Sequence, residues 1–363
     1  MCGRVLRAPA EAAGRTGKCP YCNKQIRVPT IGDIQQSRTA YVESTLGSIC
    51  NNWRNSNAHL LLLSKFLHAK SASDFSESDN WKTVLGESPK QAIERFTNEG
   101  MLVQANLTAQ LDYRFKSTEL KSILKQRGLP VSGRKEDLIN RLIQSDPEGM
   151  KNAVGGLILL ICSENGREIA EQYLSNEKLK QTKLEEQILE YLKQRKFKEA
   201  SIAVAAFEAG QVFPRGIGID WNNHNPARDM ELLKFIFDGK PKIISWLNDD
   251  QLALLRIAAG MILLLGTNNV QKWLPPNLQI SGAMEPDVAV RMLLFYALHK
   301  RDIVKYRQSG VVKKVEILAD SSSCKACKKI EGKRFNLDEV IELPYEHCTH
   351  EAGCRCIFIA VLT

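Results

Sequence analysis

Cys324-Lys-Ala-Cys327 and Cys354-Arg-Cys356 stand near the end of a 363-residue chain, with Cys348 between them. Sulfurs at these spacings are metal-ligand chemistry. A two-residue gap lets both thiolates bind one tetrahedral ion while backbone amides turn toward them. If the 354–356 stretch is extended, alternation places Cys354 and Cys356 on one face, and both are available. His347 and His350 lie in the same stretch, so seven soft or borderline donors compete for four positions. Cys324 and Cys327 form one side. Cys354 and Cys356 are the first choice for the other, with Cys348 and His350 as alternatives, and His347 reads as solvated or supporting. The implied ion is zinc. Thiolates filling its coordination sphere leave no water to activate, so the site reads as structural.

A second cysteine group opens the chain. Cys19-Pro-Tyr-Cys22, followed by Asn23 and Lys24, has the same two-residue gap. Cys2-Gly-Arg reads as the second half of another such pair, whose first cysteine would precede Met1; the expectation is a start further upstream. Residues 1–30 thus resemble a small zinc ribbon, with Cys2, Cys19 and Cys22 as ligands. Cys50 and Cys162 stand alone and read as buried apolar side chains. Clustered cysteines in a long chain without a secretion signal point to metal in a reducing compartment, so a cytoplasmic protein is expected.

The third group is cationic. Ser117 to Gln144 reads as two short helices around a tight turn. Leu120, Ile123 and Leu124 recur at helical spacing after Thr118, a plausible N-cap. Gly128 suits a left-handed helix end, and Pro130 forbids continuation. Ser132 is placed to cap the second helix, whose apolar face is Leu138, Ile139, Leu142 and Ile143. Counting Lys116, which immediately precedes it, seven basic and three acidic residues face water, a net +4. Cations and exposed helix amides are what phosphate oxygens require. With Leu120-Lys121, Gly128-Leu129 and Gly133-Arg134-Lys135 before Leu138, the stretch resembles the SAP family of DNA-binding modules. That resemblance implies backbone contacts to duplex DNA with little base reading. The candidate contacts are Lys121, Lys125, Arg127, Arg134, Lys135 and Arg141.

The tail carries its own resemblance. Cys324, Cys327, Gly332, Phe335, Pro344 and the closing Cys354-Arg355-Cys356 are similar to the end of phage minor head proteins of the Mu F type. The departure is an inserted Cys348-Thr-His350 with a longer gap to Cys354. Assembly of a phage or mobile-element head is the implied alternative to a DNA-bound accessory role in a bacterial or phage setting.

The elements that must position these groups are mostly helical. Leu60 to Leu63 with Phe66–Leu67 mark one buried helix. Ser88-Pro89-Lys90-Gln91 starts another with an N-cap, a first-position proline and a capping-box glutamine. Gly100 stops it, and Met101 to Val103 reads as a short strand. From Gly149 to about Lys314 the reading is α-helix throughout, with Lys180–Lys193, Phe197–Ala209, Met230–Phe237, Ile243–Asn248, Asp250–Leu265 and Pro286–His299 as periodic segments. Phe213 to Trp221 is a connector with Trp221 packed inward. The fold class is therefore mainly α and multidomain: a zinc-ribbon-like segment at 1–30, a helical and weakly winged-helix-like segment at 39–115, the SAP-like unit at 116–145, an α-helical domain at 149–314 and a cysteine-rich zinc module at 318–363.

Composition narrows the partners. The net charge is +9. Residues 1–38 carry +5 and the SAP-like stretch +4, so the remainder sums to zero. Concentrated positive charge favours nucleic acid. Membrane attraction is the competing reading, but no segment supports it: the runs Val154–Cys162 and Leu252–Gly266 are too short to span a bilayer, and no membrane partner is expected. His59, His68 and His299 sit in helical stretches and read as surface or core. His224 lies in a polar loop without a visible partner. No nucleophile–base pair stands out, so the expected function is DNA binding and accessory scaffolding without catalysis, the helical domain presenting a surface to a protein partner. A zinc-dependent nuclease is the enzymatic rival.

Overall fold

The computed structural model describes residues 16–18, 25–27, 52–76, 79–215, 224–267, 269–276, 278–280 and 284–362. Cys2, Cys19, Cys22, Cys50 and Trp221, and the expectations placed on them, lie outside the described residues. The fold is mainly helical, and the chain divides into two compact units, residues 1–176 and 177–363.

In the first unit, strands β1 (Thr16–Lys18) and β2 (Gln25–Arg27) pair antiparallel, with Thr16 opposite Arg27. Among the described residues, four helices follow: α1 (Asn57–Ser64), α2 (Ser73–Ser76), α3 (Asp79–Leu85) and α4 (Pro89–Asn98). The helix expected over Leu60 to Leu67 is α1 continued by a 3-10 turn at Lys65–Leu67. Ser88 opens α4 as the sequence requires. Its hydroxyl accepts the Gln91 N–H at 3.3 Å, and its own N–H donates to Gln91 Oε1 at 3.1 Å. Phe96 packs edge-on to Trp53 with ring centroids 4.8 Å apart and is fully buried, as are Leu62, Leu63 and Phe66.

His59 is buried in this unit, 2% exposed. Its Nδ1 lies 2.8 Å from Ser56 Oγ and its Nε2 2.7 Å from Glu87 Oε1, while Glu87 also pairs with Arg95. The imidazole is a buried bridge tying the start of α1 to the turn before α4. A buried polar group is tolerated when it is hydrogen-bonded in this way.

Strand β3 (Leu102–Gln104) falls where the sequence predicts a strand, and its partner is a correction. Leu160–Cys162, inside the stretch expected to be all helix, is β4, antiparallel to β3 with Leu102 opposite Cys162. Its apolar run is too short to separate helix from strand by periodicity, and a pairing partner far along the chain decides. Cys162 is buried as expected, and burial pushes its thiol pKa up to about 11.

Between β3 and β4 lie α5 (Leu107–Arg114), α6 (Ser117–Gln126), α7 (Lys135–Ser145) and α8 (Pro147–Val154). The next helix, α9 (Glu164–Lys193), starts sixteen residues before the expected Lys180 and contains the boundary between the units.

The second unit is a helical core followed by a small sheet. Helices α10 (Phe197–Ala209), α11 (Pro226–Asp238), α12 (Asp249–Leu265) and α13 (Pro286–Ser309) bury Leu233, Leu255, Met261 and Leu293 completely. Ile243–Asn248 is no helix: a 3-10 turn at Lys242–Ile244 replaces it. The all-helical reading to Lys314 also ends early, since β5 (Val312–Leu318) begins before it. Next come α14 (Lys325–Lys328), β6 (Arg334–Asn336) and β7 (Ile357–Leu362). The antiparallel sheet has the order β6-β5-β7, with Val315 facing Phe335 on one side and Ala360 on the other. Its inner face, Val315, Ile317 and Phe358, joins the helical core. No helix among the described residues is long and apolar enough to cross a membrane.

Candidate nucleic-acid interface and metal centre

Helices α6 and α7 form the turn that the sequence predicts, on a wider base. Leu120, Leu124, Leu138, Ile139 and Leu142 are buried together with Leu111 of α5 and Met150 and Val154 of α8. The packing unit therefore has four helices and extends past 116–145. Neither expected cap holds. Lys116 is the N-cap of α6, with its N–H donating to Glu119 Oε2 at 2.6 Å, and Thr118 sits inside the first turn. Arg134 caps α7, its N–H donating to Asp137 Oδ2 at 2.8 Å, and Ser132 lies outside the helix. A carboxylate reaching back from the third helical position satisfies an orphan donor at the helix start, as a capping hydroxyl would.

Gly128 is left-handed at φ +67° and closes α6, with Leu129 N–H donating to Leu124 O at 2.9 Å. Gly133 has φ +116°, and a Cβ there would meet Asp137 Oδ2 at 2.9 Å and Asp137 Cβ at 3.0 Å. Gly133→Ala is therefore expected to cost about 1–3 kcal/mol through backbone strain and loss of the Arg134–Asp137 cap. A chemical denaturation series on the full chain checks this, and an unchanged midpoint would show that the turn relaxes freely.

The six candidate DNA contacts divide into two sets. Arg127 pairs with Asp146 at 2.9 Å, and Lys135 pairs with Asp112 at 3.0 Å. Arg141 donates to Pro130 O at 2.5 Å and to Ser132 O at 3.1 Å. These three hold the turn and its neighbours together. Lys121, Lys125 and Arg134 are exposed, with no ion-pair partner among the described residues. Lys121 and Lys125 share one face of α6 at i, i+4 spacing. The internal pairing of Lys135 and Arg127 uses Asp112 and Asp146, which belong to α5 and the cap of α8, and so was invisible within the motif alone.

The five tail cysteines come together. Sγ atoms of Cys324, Cys327 and Cys348 lie within 4.8 Å of one another, as do those of Cys327, Cys354 and Cys356. Cys324 and Cys348 are 3.8 Å apart, Cys327 and Cys354 4.0 Å. Four sulfurs about 2.3 Å from one tetrahedral ion lie about 3.8 Å from each other; the Cys324–Cys348 and Cys327–Cys354 separations are of that size, and the five sulfurs group as two triplets that share Cys327. The backbone is arranged for charged sulfur. Thr349 N–H donates to Cys324 Sγ at 3.4 Å and Tyr345 N–H to Cys354 Sγ at 3.2 Å.

Local structure fixes these positions. Cys324 caps α14, and Cys327 follows three residues later. Gly353, at φ +80°, lets the chain pass against α13: a Cβ there would lie 2.5 Å from Met292 Cε. Cys354 N–H then donates to Met292 Sδ at 3.3 Å. Arg355 is engaged with Ser322 Oγ, Asp320 and His350. His350, a candidate ligand by sequence, has both ring nitrogens beside other partners, Ala352 N at 3.0 Å and Arg355 at 3.1 Å. His347 stacks edge-on to Tyr345. His299 is buried against Phe358, and burial lowers its pKa to about 4 despite a hydrogen bond to the Cys356 backbone.

Protonation differs across the cluster. Burial opposes ionisation of Cys324, but N–H donors from Cys327 and Thr349 outweigh it and bring its pKa down to about 6. Burial and the neighbouring Cys354 push the Cys327 thiol up. A bound dication reverses that balance, because a coordinating thiol is deprotonated outright.

The comparisons with known proteins agree with the first of these sites. The SAP domain family matches residues 114–147, which span α6 and α7 and the turn between them. This segment is similar to a general DNA-binding motif. No curated protein and no solved structure matches the chain.

Proposed function

We propose that the chain binds duplex DNA through its SAP-like segment, as an accessory or scaffolding protein, and that a structural zinc ion closes its carboxyl-terminal module. The observation that carries the DNA reading is the set Lys121, Lys125 and Arg134, exposed and unpaired among the described residues, on the segment that matches the SAP domain. Cations left free of internal carboxylates can replace condensed counterions on phosphates. The zinc reading rests on five clustered sulfurs, with backbone amides donated to two of them. Cys324, Cys327, Cys348 and Cys354 would hold the ion, with Cys356 beside Cys327 and Cys354 as a fifth donor. Zinc there would supply cross-linking between α14, the 345–350 turn and the approach to β7. A salt titration tests the DNA reading. Log affinity for a short duplex should fall linearly with log salt, and a flat dependence would rule out backbone binding.

A further inference from the structure

The cysteine-rich module hides a charge asymmetry. Residues 312–337 carry seven basic and three acidic side chains, a net +4 equal to that of the SAP-like stretch. Residues 338–362 carry five acidic side chains and one basic, a net −4. The two halves cancel in any domain-wide count. They do not cancel in the fold, because much of the acidic half is already engaged by cations outside the module. Asp338 pairs with Arg307 at 3.6 Å, Glu342 with Lys300 at 3.8 Å, and Glu346 with Lys242 at 3.6 Å.

The basic half keeps most of its charge. Arg334 pairs with Glu316 and Lys328 with Glu331. Lys313, Lys314, Lys325, Lys329 and Lys333 are exposed and have no ion-pair partner among the described residues. Three short elements fix them. Lys313 and Lys314 lie in β5. Lys333 immediately precedes β6, its carbonyl accepting Ile317 N–H at 3.1 Å. Lys314 is three residues before Ile317, so these two stations are about 10 Å apart along the strand. Lys325 and Lys329 are one helical turn apart, with Lys329 N–H donating to Lys325 O at 3.2 Å. Adjacent turns bring such side chains onto one face.

We propose that the exposed lysines of β5, α14 and the approach to β6 together make a second nucleic-acid-binding surface that contacts the phosphate backbone. Five like charges held on ordered elements repel one another, and a polyanion relieves that repulsion. Nucleic acid is favoured over an anionic membrane because the same chain carries the SAP match; to that extent the choice of ligand rests on the DNA reading. Backbone contact by lysines implies little sequence preference and a strong salt dependence.

The test uses the full chain loaded with zinc. Lys325→Ala, Lys329→Ala and Lys333→Ala are combined, and duplex affinity is measured by fluorescence anisotropy across salt concentrations. The slope of log affinity against log salt should fall by about 0.9 for each phosphate no longer neutralised, or about 2.7 for all three. Zinc content equal to that of the parent shows that the module stays folded. An unchanged slope and affinity would overturn the proposal. So would weakened binding to phosphatidylserine vesicles with DNA binding intact, which would assign these lysines to a membrane. The Lys121→Ala, Lys125→Ala, Arg134→Ala protein is titrated in parallel and reads the SAP-like surface by itself, so failure at one surface is distinguished from failure at the other.

Discussion

Cys327→Ser should release the tail metal and unfold the module around it. Cys327 is the one sulfur common to both cysteine triplets, so no choice of three remaining neighbours restores the same packing. The apparent free energy of a structural zinc site is on the order of 10 kcal/mol in small peptides at neutral pH. Part of the module's order should survive without the ion, because β5 and β7 pair and their inner face is buried with the helices. The expected result is loss of bound zinc, a lowered melting transition for the second unit and new proteolytic cleavage between residues 319 and 356. Cys324→Ser and Cys356→Ser each leave four cysteines and a complete triplet, and should be milder. A strong chelator should reproduce the Cys327→Ser melt in the parent protein. Unchanged zinc content in Cys327→Ser, or parent protein purified without zinc, would end the structural-zinc reading. The rival nuclease reading predicts metal-dependent nicking of supercoiled DNA that Cys327→Ser abolishes with the fold intact. Incubating parent and variant with plasmid in zinc or magnesium decides that point.

The second large effect is expected at the SAP-like segment. Replacing Lys121, Lys125 and Arg134 together with alanine should lower the salt slope by about 2.7, at roughly 0.9 per phosphate contact. Replacing the internally paired Lys135 and Arg141 should behave differently. Arg141 holds the carbonyls of Pro130 and Ser132, and Lys135 holds Asp112. Their replacement should cost about 1 kcal/mol of stability each, by removing a hydrogen bond or a partly exposed ion pair, with a smaller change in slope. Equal slope changes for the two sets would mean that the internal pairs open on DNA and that all of these cations reach the backbone.

That division marks where sequence reasoning stops. The turn between α6 and α7 was legible because its chemistry is local: Gly128 has the positive φ that suits a helix end, and the apolar residues repeat at helical spacing. The start of α4 was legible for the same reason, Ser88, Pro89 and Gln91 being neighbours. Helix α10 falls on its expected bounds, Phe197–Ala209. What escaped was set by partners far along the chain. β4 is extended because β3 is there to pair with it. Lys135 is neutralised by Asp112 of a different helix. At the sulfur cluster the five cysteines were all candidates; what only the fold supplies is that His350 is occupied with Arg355 and that Cys348 comes to Cys324. The unpaired lysines of the tail were hidden by cancellation, since Asp338, Glu342 and Glu346 of the acidic half pair elsewhere.

The pairing of β5 with β7 has a consequence for how the protein is made. Val312 lies opposite Leu362, and Cys354 and Cys356 immediately precede β7. Neither the sheet nor the sulfur cluster is complete until residues 354–362 have been synthesised. Domains generally fold as units in the order in which they emerge, at about 5–20 residues per second. The α5–α8 unit is finished by residue 154, so roughly 10–40 seconds separate its completion from that of the sulfur cluster. On the proposed reading, a nascent chain would be able to engage DNA before its tail can hold an ion, and a message cut short ahead of Cys348 would yield the first property without the second.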